Sequence, residues 1–145
     1  ACGANLTLAR FASGGFHWSG EGCPGSVGPT TLRAQALPQV GQTFAVEALP
    51  QPSAAHLLVG FSNLGSPFGP LPLDLTFLGM PDCPLRVSSE IVVPFQGSPL
   101  RASVPLPPDP ALAGGRLHVQ ALVLDPGANA LGAVLSESAT AVIGG

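Results

Sequence analysis

Eight carboxylates, three histidines and three cysteines are the side chains with obvious chemistry to offer. The carboxylates are Glu21, Glu47, Asp74, Asp82, Glu90, Asp109, Asp125 and Glu137. Glycoside hydrolysis needs two carboxyl groups facing each other across a cleft, and the spacing of these residues neither builds nor excludes such a pair. Asp109 and Asp125 stand in proline-flanked turns, "PDP" and "DPG". An aspartate there bonds its own backbone, so a structural role is expected for both. The alternative at Asp125 is a Ca²⁺ contact shared with loop carbonyls.

His17, His56 and His118 would have to converge in space to hold a metal. His17 adjoins Trp18 in a loop and the other two read as strand residues, so no metal is expected. "GEGCPG" fits G-x-G-x-x-G, but Gly28 and Pro29 follow and deny it the helix that a nucleotide site requires. No G-x-S-x-G, H-E-x-x-H, EF-hand or P-loop pattern occurs. The residues therefore point to no catalytic group and no cofactor.

Cys2, Cys23 and Cys83 lack the C-x-x-C spacing of zinc sites. Their neighbours are Gly, Pro and Asp, not the His or positive centre that activates a thiol. A disulfide in an oxidising compartment is the expected use. Cys23 and Cys83, each followed by Pro in a loop-like context, are the pair expected to join. Closing a loop of that length is worth roughly 4 kcal/mol by the chain-entropy argument. Cys2 is then left for a second bridge or an interchain link.

Trp18, Phe16 and Phe11 are candidates for a sugar-stacking platform, because aromatic faces suit the apolar faces of sugars. Core or interface packing is the alternative, and no Tyr with a single Trp is a meagre supply for a carbohydrate binder. "NLT" at Asn5 is a glycosylation sequon.

The elements that must position these residues are short strands. Pro or Gly interrupts nearly every window of ten, and Pro inside a helix costs about 3 kcal/mol, so no helix is expected. Strand-like runs bounded by turn residues cover 5–12, 30–36, 42–48, 56–61, 71–77, 85–95 with a break, 100–106, 116–125, 130–135 and 138–143. In "QTFAVEA", Phe44 and Val46 share one face. In "RLHVQALVLD", Leu117, Val119, Ala121 and Val123 share a face, opposite His118, Gln120, Leu122 and Leu124. That opposite face turns apolar toward its end, which predicts a central strand covered on both sides there. The stretches 13–29 and 105–115 read as Gly-rich and Pro-rich connections.

The composition agrees. The 145 residues make one domain by length, 46% are hydrophobic, and only 9% are charged. Nineteen Gly and 17 Pro would fit disorder only with low hydrophobicity and high charge, and both are reversed. Many strands joined by Gly/Pro turns account for them better. The expected fold is all-β, an antiparallel sandwich of Greek-key or jelly-roll type, with about nine to ten strands and a disulfide staple. Net charge is −3, with five Arg and no Lys, so nucleic acid is not an expected partner. No run reaches the length of a membrane span. The chain opens at Ala1 without Met, which reads as a mature form after signal-peptide removal, hence secreted or at the cell surface.

The phrases come in a telling order. "GCPGSVGPTTLRA" precedes "LPQVGQTFAVEA", "LLVGFS", "PLPLDLTFLGMPDCPL", "IVVPF", "LHVQALVLDPGAN" and "LGAVLSESATAVI". This series, from about Gly22 to Ile143, resembles the C-terminal module recurrent in secreted proteins of planctomycetes and myxobacteria, which has no established activity. The resemblance places a cysteine in the "GCPG" phrase and another after "PLDL", at Cys23 and Cys83, and so implies the same pairing. Against that resemblance the expected departures are a module standing without an enzyme or adhesin domain and an added N-terminal arm, 1–18, ahead of a sandwich domain, 19–145.

The functional expectation is a non-enzymatic structural subunit that forms a homo-oligomer or homopolymer, an extracellular fibre or surface layer. Its contact strand would be Asn5, Leu6, Thr7, Leu8, Ala9, Arg10 and Phe11, added to a sheet edge of a neighbour. Pairing of that strand within its own sheet is the competing arrangement. Two further readings are kept: a carbohydrate-binding module using Trp18 and Phe16 on a surface polysaccharide, and a hydrolase whose carboxylates are not placed.

Overall fold

The structure is a computed structural model that describes residues 15–26, 28–50, 52–97 and 99–145. The segment 5–12 and Cys2 therefore lie outside the described residues. The fold is all-β and antiparallel. The described residues form twelve strands: β1 (Gly15–Gly20), β2 (Thr31–Ala36), β3 (Thr43–Leu49), β4 (Ala55–Gly60), β5 (Gly65–Ser66), β6 (Gly69–Pro70), β7 (Leu73–Asp74), β8 (Pro84–Leu85), β9 (Ile91–Pro94), β10 (Ala102–Pro105), β11 (Arg116–Leu124) and β12 (Ala133–Val142). Two single 3₁₀ turns, at Thr76–Leu78 and Pro110–Leu112, are the only helical pieces among the described residues.

A five-stranded sheet in the order β1-β12-β11-β4-β9 faces a three-stranded sheet in the order β10-β3-β2. Alternation decides which side chains meet between them. Phe44, Val46 and Ala48 of β3 are buried, as are Val119, Ala121 and their β4 partners Val59 and Leu57. These apolar faces form one continuous core, the standard solution for two half-apolar sheets. The hairpin β11–β12 is shaped by Asn129, whose side-chain oxygen accepts the Gly132 and Ala133 amides.

β11 is the central strand of its sheet, as its length and pattern predict. Its second face is covered at the polar end rather than the apolar one. His118 and Gln120 are buried, whereas Leu122 is half-buried and Leu124 is exposed. The cover is the segment around β8, which carries buried Met80, Cys83, Leu85 and Val87 across the outside of the sheet. Gln120 makes this possible. Its amide donates to the carbonyls of Pro84 and Ser136, and its oxygen accepts the Arg86 amide at 2.9 Å. A buried polar residue is tolerated when every group is matched.

Three further differences from the sequence reading have physical causes. The stretch 13–29 is not purely a connection: residues 15–20 form β1, paired with β12 from Gly15↔Val142 onward. β1 also straddles the expected 18/19 boundary between arm and sandwich. The two runs at 130–135 and 138–143 are one strand, and the break between them is a β-bulge opposite Ala121. There the Ser136 hydroxyl accepts the Ala121 amide and donates to the Glu137 carbonyl. Finally, residues 71–77 hold only the short β7 and a 3₁₀ turn, because Asp74 bonds the Thr76 amide and hydroxyl and turns the chain.

Candidate functional site

Cys23 and Cys83 form the disulfide, with Cα atoms 4.8 Å apart and a sequence separation of 60. It pins the 21–25 loop and the β8 cover together near the start of β12. The Cys23 amide donates to the Leu135 carbonyl, and the Arg86 side chain donates to the Glu21 carbonyl at 2.7 Å. Gly22 is required between them, since a Cβ there would collide with the carbonyl oxygens of Leu135 and Ser136.

Phe16 and Trp18 sit two apart on β1 and point toward the smaller sheet. Phe16 is half-buried, its ring 6.0 Å from that of Phe44 in a tilted arrangement. Trp18 is 63% exposed, yet its indole N–H donates to the Leu32 carbonyl of β2 at 3.1 Å. Of the two, Trp18 is the one that offers a broad ring surface to solvent, and its orientation is fixed. Phe16 is a packing residue.

Sequence reasoning missed the partner of Trp18 across this seam. The bulge in β12 turns Glu137 toward β2, where its carboxylate accepts the Leu32 amide at 3.0 Å. The Glu137 amide donates to Thr30. Glu137 and Glu21 line one cleft of about 320 Å³ together with Thr30 and Thr31. Two of the eight carboxylates thus share a cleft, with one Glu137 oxygen engaged by backbone. The "LSES" break in the apolar pattern was the one local sign of the bulge.

The remaining candidates are separate. Asp109 accepts the Ala111 amide and caps the second 3₁₀ turn, as its motif predicts. Asp125 does not bond its own backbone through its side chain. Its carboxylate instead takes the amide and hydroxyl of Ser26, 99 residues away, next to the Gly25–Gly28 bridge. His118 lies under the β8 cover with Nδ1 3.0 Å from the Thr140 hydroxyl. Burial, and secondarily the Arg116 charge, push its pKa below the usual histidine value. Among the described residues no three His, Cys, Asp or Glu side chains gather as a metal-holding group.

One end of the sandwich carries a different kind of feature. A groove of about 370 Å³ opens between the start of β11, the end of β4 and the connection after β10. Val59, Phe61, Ile91, Leu106, Leu117 and Ile143 line it, with Arg116 as its one charged lining residue. Phe61 is 62% exposed and Ile91 41% exposed. Val92 on the same edge strand is exposed too, as are Leu64 and Phe68 around the β5–β6 hairpin that follows β4. Glu90 stands between the groove residues Phe61 and Ile91, accepting the Phe61 amide at 2.8 Å and the Ser88 hydroxyl at 2.6 Å. Those bonds hold its carboxyl below the usual carboxylate range. No sequence periodicity marks this surface, because it is assembled from the ends of strands distant in sequence.

No described helix is long and apolar enough to cross a membrane. Compared with known proteins, the chain matches no family model, no curated protein and no solved structure.

Proposed function

We propose that this chain is a secreted, non-enzymatic structural subunit that self-associates into an extracellular fibre or surface layer. The observation that carries the reading is the apolar end of the sandwich. Phe61 and Ile91, both exposed, line a groove that is itself apolar, with Val59, Leu106, Leu117 and Ile143. Contiguous exposed apolar surface of this kind marks an interaction site more often than an idle face. The disulfide is compatible with an oxidising compartment. The resemblance of the ordered phrases to a secreted C-terminal module points to the same location. Addition of the Asn5–Phe11 strand to a neighbour is the proposed first contact of assembly. Negative-stain electron microscopy of the purified full chain tests the reading: regular filaments or sheets are expected, and dispersed single particles at every concentration count against it.

A second reading, a carbohydrate-binding module, is favoured by Trp18. Its ring is exposed but its direction is fixed by Leu32, and the cleft holding Glu21, Thr30, Thr31 and Glu137 lies beside the same residue of β2. A rigid aromatic face next to carboxylate and hydroxyl groups suits a sugar ring and its hydroxyls. Retention on insoluble polysaccharide that is lost in a folded Trp18→Ala variant would establish it, and no retention would dismiss it.

A further inference from the structure

We infer that the apolar groove at the end of the sandwich seats residues 5–11 of a second copy, and that two copies exchange these segments reciprocally. The inference rests on the self-association reading and names its contact. Three observations converge. First, Gly15 and Arg116 flank the same residue, Val142, on neighbouring strands. Two strand spacings separate them, about 10 Å, and Arg116 lines the groove. The chain ahead of Gly15 thus leaves the body at the groove's own end. Residues 12–14 join the segment to Gly15 and span up to about 13 Å when extended, enough to reach the groove of a copy meeting it end to end.

Second, the segment matches the groove. In an extended chain Leu6, Leu8 and Arg10 fall on one side. Leu6 and Leu8 would enter the apolar floor formed by Val59, Leu117 and Ile143. Arg10 would meet the Glu90 carboxylate, which stands at the rim and is held in its charged form by the Phe61 amide and the Ser88 hydroxyl.

Third, a second copy covers what the chain's own arm would not. Phe61 and Ile91 project from the same end. Two molecules meeting end to end bury both, whereas an arm folded into its own groove leaves that end facing water. Because donor and acceptor share one end, the exchange closes on a two-fold axis. The building unit is a dimer, and any fibre is made of dimers joined through other surfaces.

The test uses the full chain with the photoreactive residue benzoylphenylalanine in place of Leu8. Irradiation should give a product of twice the chain mass on a reducing denaturing gel, with crosslinked peptides that include Leu112 or Leu117. Ala111→Trp fills the groove from an exposed position and should lower that product about tenfold, the loss expected when one well-packed contact is blocked. A groove crosslink at single-chain mass, or no crosslink in the groove, overturns the exchange. Light scattering on the unlabelled protein separates the two levels of failure. An oligomer whose crosslinks avoid the groove rejects this seat and leaves self-association standing, whereas a monomer rejects both.

Discussion

Trp18 and Glu137 grip one residue of β2 from two strands of the other sheet. The Trp18 indole donates to the Leu32 carbonyl at 3.1 Å, and the Glu137 carboxylate accepts the Leu32 amide at 3.0 Å. β2 is the last strand of the smaller sheet, so these two side chains supply the bonds that another strand would otherwise make. An edge closed in this way is unavailable for stray pairing. Trp18→Phe should cost about 1 kcal/mol, the worth of one hydrogen bond, and Glu137→Ala about 2 kcal/mol because it strands a donor. The double variant should cost less than the sum, since both act through Leu32. Urea unfolding of the four proteins measures the coupling, and strict additivity would deny a shared clamp.

Gln120 should be among the least replaceable polar residues. It is fully buried and serves the Arg86 amide and the Pro84 and Ser136 carbonyls. Gln120→Leu keeps the approximate volume but strands all of these groups, so a loss of about 3 kcal/mol or more is expected. A midpoint shift with an unchanged denaturant slope would locate the effect in stability. A near-neutral result would mean that the β8 cover is not held by this residue.

The disulfide should matter as a staple of two loops on one face. Cys23→Ser with Cys83→Ser removes the link across 60 residues and should cost about 4 kcal/mol, lowering Tm by about 10 °C. Protease cutting should then appear first in the β8 region and not in β3 or β4, which are held in the core. Calorimetry and limited proteolysis together read both effects.

His118 makes stability depend on pH in a defined direction. Its folded pKa lies below the usual histidine value of about 6.5, through burial first and the Arg116 charge second. The neutral form is the one that fits, so the folded chain binds the proton less readily than the unfolded chain. The contribution is complete above 6.5 and is lost as pH falls through the lowered folded value. His118→Gln should flatten that limb of the stability profile while leaving the region above 6.5 nearly level. A wild-type profile that rises on acidification through the same window would contradict the assignment.

The sandwich was legible where alternation is strict. Phe44 and Val46, and Leu117 through Val123, announce their buried face because period-two patterning is a local property. β1 escaped because glycines bound it and its pairing partner lies more than a hundred residues away. The burial of His118 and Gln120 was hidden for a related reason: their cover arrives from the β8 segment, and polar residues carry no sign of being buried. At the sites, Cys23 and Cys83 could be paired in advance, while the grip of Trp18 and Glu137 on Leu32 could not. Asp125 shows the limit from the other side, since its turn was foreseen but its side chain reaches Ser26 instead. The apolar end was least legible, being built from strand ends that meet only in the folded chain.

Sedimentation velocity of the full chain, with its native cysteines and over a wide concentration range, tests the central proposal most directly. Self-association predicts a dimer or larger species that persists under reducing conditions and declines on dilution. A single sharp boundary at the mass of one chain, unchanged at every concentration, would contradict it.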